Sequence, residues 1–329
     1  MAMAASSTSM PRPKIGLALG GGIARGWAHL GVLRALDRCG LAPDIVAGTS
    51  IGALVGGAYL AGHADTLEKW ARGLNKVRMI SYLDFRVRSS GMIGGRHLVA
   101  AMERHMGGLE IEDLGTPFVA VATDLVTGHE VWLRSGGLID AIRTSFSLPG
   151  LFEPVHVGGR WLVDGALVNP VPVSVCLAMG AQMTIAVNLN ADIIGKVQRS
   201  DSEIASIIGF DLLEELDAGR AAAPGSRLGG LTRRVFRRES SGPSMFGVMV
   251  SALNIVQDRI SRSRLAGEPP DVQIAPRLGH IGMVEFDRAD EMIAEGEAAV
   301  ERALPDLRAA LAIFGRELKE TPAPERKRA

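Results

Sequence analysis

The sequence predicts an α/β fold in which helices are layered on a sheet. A β-rich apolar run at 14–19 empties into Gly20-Gly21-Gly22 and is followed by helical periodicity at Trp27, Leu30, Leu33 and Leu36. A second unit of the same kind runs from 44–47 through Gly48 into an apolar helix at 51–61. A third joins a helical stretch at 173–179, stopped by Gly180, to a buried strand at 183–189. Strands and helices that alternate in this way build layered sheets.

Taken in order, Gly40 ends the first helix and Pro43 bars its resumption. The second helix carries Ala53, Gly56, Gly57, Ala58 and Ala61, small residues that allow close backbone packing. A polar helical stretch follows at 64–75, then a loop around 89–95. Strands at 117–123 and 129–133 are expected to pair as a hairpin across a Thr-Gly turn. A second hairpin, 153–157 with 161–163, turns on Gly158-Gly159 and leads into Asp164-Gly165. Helical periodicity returns at 245–260, a strand at 271–274 and a long helix from 287 towards 314. The expected organisation is a disordered N-terminal segment at 1–13, a core at 14–190, a flexible Arg-containing insertion at 191–244, the C-terminal part of the same domain at 245–318 and a charged tail at 319–329.

Composition narrows the function classes. With 329 residues and 47% hydrophobic content the chain can bury a large core. Lys+Arg and Asp+Glu balance at 36 each, which gives no support to a nucleic-acid partner. The only cysteines, Cys39 and Cys176, sit in apolar helical patterns, so neither a disulfide scaffold nor a thiolate metal site is expected, and no cofactor is implied. Residues 1–10 lack the charged start and apolar stretch of a signal peptide. The longest apolar run, 51–61, is shorter than the roughly 20 residues that cross a bilayer. The expectation is a cytoplasmic protein, with Arg233, Arg234, Arg237 and Arg238 of the insertion either touching the inner membrane face or forming a solvated linker.

Three motifs can do chemistry. Gly48-Thr49-Ser50-Ile51-Gly52 has the G-x-S-x-G form of a nucleophile elbow, and a β-run ends just before it and a helix starts just after it, as that turn requires. The plainer alternative is that Ser50 only caps the helix. Gly20, Gly21 and Gly22, followed by Arg25-Gly26, can present backbone N–H groups as an oxyanion hole, since neighbouring parallel strands end on one edge of a sheet. The same glycines could serve only a tight turn. A dinucleotide fingerprint fails because Arg25 stands where glycine is needed, and a P-loop fails for want of Gly-Lys-Ser/Thr. Asp164-Gly165 places a carboxyl at a strand end among Leu162, Val163 and Leu167, where lost hydration would raise its basicity. An Asp-Gly turn is the alternative role.

Together these residues resemble the patatin-like phospholipase family, which carries a glycine-rich oxyanion loop, a G-x-S-x-G elbow and a D-G-[GA] motif. They stand here as Gly20 to Gly26, Gly48 to Gly52, and Asp164 to Ala166. The likeness spans roughly residues 14 to 310, and 264–271 resembles the bacterial RssA-type branch. It implies a three-layer α/β/α fold with a central, mostly parallel sheet, a Ser50 and Asp164 dyad without histidine, and metal-independent hydrolysis of lipid acyl esters. Gly21 and Gly22 are the implied oxyanion donors, with Gly20, Arg25, Gly26, Gly48, Gly52 and Gly165 in support; Arg25 either braces the loop or meets phosphate. Ile23 departs from the pattern, standing where many relatives have glycine, and would be strained if that position needs φ > 0. Two rival readings are a Ser50-Asp164-His280 triad and a non-catalytic regulatory protein on the same fold.

Overall fold

The computed structural model describes residues 12–74, 96–192, 245–282 and 285–319. Its centre is an eight-stranded sheet. The strands are β1 (Ile15–Leu19), β2 (Ile45–Thr49), β3 (Phe118–Asp124), β4 (Glu130–Leu133), β5 (Val155–Val157), β6 (Arg160–Asp164), β7 (Met183–Val187) and β8 (Val272–Ile274). Their order is β5-β6-β3-β2-β1-β7-β8, with β4 also paired to β3. The block β3-β2-β1-β7-β8 is parallel, and the β4, β5 and β6 pairings are antiparallel.

The helices are α1 (Ala28–Arg38), α2 (Ile51–Leu60), α3 (Ala64–Arg72), α4 (Arg96–Met106), α5 (Leu138–Ser145), α6 (Val173–Ala178), α7 (Met245–Gly267) and α8 (Ala289–Ile313). Successive strand residues point to opposite faces. One face of the sheet is lined by Leu17, Leu19, Val46, Phe118, Ile185 and Val187, which share a core with Leu33 of α1, Leu54 of α2, Ile142 of α5 and Met292 of α8. The other carries smaller side chains, Ala18, Ala47, Val119, Val121 and Ala186, under α6 and Leu265 of α7. Three layers result, and the thin one is tight: a Cβ on Gly16 would lie 2.6 Å from the Cys176 Cβ. Both cysteines are buried and neither is in a disulfide, and burial pushes the Cys176 thiol up to about 12.

The long apolar strands and glycine turns fall where the sequence places them. The first helix starts one residue later than its apolar period, because Ile23–Trp27 forms a 3-10 turn ahead of it. α7 runs to Gly267 rather than ending near 260. Helices α4 and α5 are additions that no strong apolar period announced. The loop expected around 89–95, the insertion beyond 192 with its arginines, and residues 1–11 and 320–329 lie outside the described residues.

One detail of the sheet positions Ser50 and Asp164. β3 pairs with β4 through 120–123, so that edge is occupied along the middle of the strand. Its other edge is shared end to end: Thr49 of β2 lies opposite Val121, and Asp164 of β6 lies opposite Ala122, the next residue. β2 is parallel to β3 and β6 antiparallel, so their C-terminal ends meet head-on against β3.

Candidate active site

Ser50 sits in the one-residue gap between β2 and α2, at φ 57° and ψ −123°. Such a backbone is costly for a residue with a Cβ, by about 1–3 kcal/mol, and is held by its surroundings. The glycines two positions away make it feasible. A Cβ on Gly48 would fall 2.5 Å from the Ala53 Cα, and one on Gly52 would fall 2.2 Å from the Leu19 carbonyl oxygen. The Ser50 N–H donates to the Ser145 hydroxyl (2.9 Å), which in turn donates to the Val121 carbonyl (2.6 Å). The turn is thereby fastened to β3. Thr49 adds a hydroxyl bond to the Asn169 carbonyl at 2.8 Å.

Asp164 arrives from the opposite direction. The Ser50 hydroxyl donates to its Oδ2 at 2.6 Å, and the Ala166 N–H donates to Oδ1 at 2.8 Å. Its backbone is fixed by its own N–H donating to the Ser147 carbonyl (3.0 Å) and by the Thr123 hydroxyl donating to its carbonyl (2.8 Å). Gly165 must be glycine here, as a Cβ would lie 2.3 Å from the Val121 carbonyl oxygen. Asp164 is 1% exposed. Burial pushes its carboxyl up to about 7, against the opposing pull of the bonds from Ser50 and Ala166.

The glycine loop closes the third side. A Cβ on Gly21 would lie 3.4 Å from the Ser50 Cβ and 3.3 Å from the Ala166 Cβ, so this loop passes directly over the pair. The N–H of Gly20 donates to the Val187 carbonyl (3.0 Å) and that of Gly21 to the Pro170 carbonyl (2.9 Å). Gly21 was expected to offer its N–H to an oxyanion; that donor is instead turned into the fold. The N–H groups of Gly22 and Ile23 have no protein acceptor among the described residues. Ile23 has φ 50°, and with Ser50 it is one of two non-glycine residues at positive φ among those described. Both flank the same space, and strained backbone concentrates at functional sites.

Arg25 braces the loop. Its side chain is fully buried, with Nε and Nη2 donating to the Ile281 carbonyl at 3.0 and 2.7 Å, which removes it from contact with a phosphate in solution. Gly26 leaves room for Ile51, whose Cγ1 would be 2.0 Å from an added Cβ. His29 went unremarked in the sequence, because a histidine within a helical period gives no local signal. It is fully buried and its Nε2 lies 2.7 Å from the Gly20 carbonyl oxygen. Burial pushes its pKa down to about 4, and a carbonyl can only accept, so the ring is neutral with the proton on Nε2. Nor does the sequence single out Ser145 or Thr123 as site residues.

His280 does not join this cluster. Its Nε2 meets Glu291 Oε1 at 2.7 Å with half of the side chain exposed. Among the described residues both carboxyl oxygens of Asp164 are taken by Ser50 and Ala166, with no imidazole between.

A serine hydroxyl on a strained turn, bonded to a desolvated carboxyl under a glycine loop, is the arrangement of a hydrolase with an activated serine. Residues 17–177 match the patatin-like phospholipase family. An uncharacterised NTE family protein of Mycobacterium tuberculosis is 33% identical, over 89% of this chain and 91% of that protein. Patatin-like phospholipase domain-containing protein 7 of Mus musculus is 34% identical over 54% of this chain and 14% of its own length. Lysophospholipase NTE1 of Mycosarcoma maydis is 39% identical over 54% of this chain and 10% of its own length. The chain belongs to the patatin-like phospholipase family, and the enzyme class that goes with this membership is lipid ester hydrolase.

Proposed function

We propose that the protein hydrolyses carboxylic esters of phospholipids or lysophospholipids through a Ser50–Asp164 dyad. What supports this most directly is the 2.6 Å bond from the Ser50 hydroxyl to the buried Asp164 carboxyl. Asp164 takes the hydroxyl proton as the Ser50 oxygen attacks the ester carbonyl carbon. The developing oxyanion is met by the Gly22 N–H, with the Ile23 N–H taking the place of the engaged Gly21 donor, and by the positive end of α2. The proton then passes from Asp164 to the departing alkoxide. Water, deprotonated by Asp164, attacks the acyl-enzyme carbonyl and releases the fatty acid, and the Ser50 oxygen regains its proton. An ordinary aspartate, near 3.9, is a poor base for this; one near 7 is matched to neutral pH.

The base must be ionised to act, so hydrolysis is expected to fall as the pH drops below about 7, on a single acid limb well above the ordinary carboxylate range. A pH profile of kcat/KM with a soluble ester measures this, and a limb near 4 contradicts it. A fluorophosphonate probe is expected to label Ser50 and no other residue, as read by peptide mass spectrometry. His280→Ala is expected to retain at least about half of the activity, since that ring is engaged with Glu291 at the surface. An inactive His280→Ala beside an Asp164→Asn that retains most activity would end the dyad reading. Wild-type protein that never labels would favour a regulatory role.

A further inference from the structure

β3 and β6 extend past the end of β2, so two hairpin turns project beyond the edge of the sheet where Ser50 lies. The turn after β3 presents Leu125 and Val126, 51% and 81% exposed; the β5–β6 hairpin presents Trp161, 50% exposed, with Val157 beside it. They form one surface. The Leu125 N–H donates to the Trp161 carbonyl at 2.8 Å, and Trp161 lies opposite His156 with ring centroids 4.8 Å apart. Register therefore aligns Leu125, Trp161 and His156 across three strands.

The first turn is rigid. Asp124 Oδ1 accepts the N–H groups of Val126 and Thr127 at 2.9 and 3.1 Å, so Val126 is held with its side chain exposed. Water-exposed aliphatic tips presented in this way are an unfavourable arrangement for a surface that stays in water. The charge pattern says what they fit. Segments 125–129 and 155–161 contain Arg160, His129 and His156 and no aspartate or glutamate. A tryptophan with an apolar body and a polar ring nitrogen, neighbouring aliphatics and a basic fringe match the boundary between acyl chains and anionic head groups.

We infer that these two hairpin tips dock the protein on an anionic phospholipid bilayer, with Val126, Leu125 and Trp161 entering the head-group boundary and Arg160 meeting lipid phosphate. This rests on the lipid hydrolase reading for its purpose and on the surface alone for its geometry. Trp161 is three residues from Asp164 on β6, about 10 Å along a strand, so the docked surface would hold the dyad just beneath the leaflet.

Binding is tested on the full chain carrying Ser50→Ala, which spares the lipid, by co-sedimentation with vesicles of phosphatidylcholine alone or mixed with an equal part of phosphatidylglycerol. Binding to the mixed vesicles is expected, with a fall of at least about 10-fold on adding Val126→Asp and Trp161→Ser. Val126→Asp alone, on a side chain that supports nothing in the fold, is expected to lower binding by at least about 3-fold. Arg160→Gln is expected to weaken binding to the mixed vesicles alone. With Ser50 intact, the double variant is expected to lose hydrolysis of vesicle lipid by the same factor and to keep a water-soluble short-chain ester within about 2-fold. Vesicle binding unchanged by the tip substitutions overturns the inference, as does a wild-type dimer in solution that these substitutions split. Absent hydrolysis of the soluble ester by wild type counts against the dyad and leaves the binding result to stand by itself.

Discussion

Ser50→Ala and Asp164→Asn are each expected to lower ester hydrolysis by about 1,000-fold or more, and Asp164→Asn to make the protein more stable at alkaline pH. The first effect follows from the shared proton. Without the hydroxyl there is no nucleophile, and an asparagine cannot take a proton; its amide would donate to Ser50 Oγ, reversing the polarity of the 2.6 Å bond. Residues that act as one unit lose most of their catalysis when either is removed. The second effect follows from burial. The folded carboxyl titrates near 7 and the unfolded one near 3.9, so the folded state holds the extra proton between those values. Asp164 thus contributes stability that is fully present below about pH 4 and is lost as pH rises through about 7. The asparagine variant lacks this loss while keeping the acceptor for the Ala166 N–H. Its advantage at pH 8 is expected to be on the order of 2–4 kcal/mol, a rise in melting temperature of several degrees, vanishing near pH 4. Calorimetry of the two proteins from pH 4 to 8 measures it. Parallel curves would mean that Asp164 is not held by desolvation.

Gly31→Val or Gly296→Val is expected to cost about 4 kcal/mol or more, enough to prevent soluble folding. α1 and α8 cross where these glycines face each other's backbone. A Cβ on Gly31 would lie 1.9 Å from the Ile293 carbonyl oxygen, and one on Gly296 would lie 2.0 Å from that of Ala28. No rotamer relieves a clash between Cβ and backbone, so the helices would have to separate. That would open the contact of Met292, Ile293 and Val300 with the rest of the large core. Even alanine at either position is expected to lower the urea midpoint clearly, with valine worse. A change below about 0.5 kcal/mol for either alanine would show that the crossing is looser than described.

Much of this was legible in the sequence, for reasons tied to particular residues. The strand, glycine turn and helix units around Gly20 and Gly48 announce themselves because close backbone approach admits few residue types. The same constraint made Asp164-Gly165 visible. What escaped depends on contacts remote in the chain. The loss of the Gly21 donor to Pro170, the Ser145 hydroxyl beneath Ser50 and the His29 ring under Gly20 are set by tertiary packing and leave no periodic trace. The strain anticipated for Ile23 is present, at φ 50°. Nothing in the local sequence marks helix α5 as part of the site, although Ser145 at its end holds the elbow.

The head-on meeting of β2 and β6 has an implication for how this architecture tolerates change. Serine and aspartate are 114 positions apart, yet their spacing is measured off two consecutive residues of a single intervening strand, which works as a ruler for both. Insertions in the loops between them, outside β3 and the anchors at Ser145 and Ser147, would leave the pair aligned. Deleting one residue within β6 itself would turn the carboxyl to the opposite side and silence the enzyme.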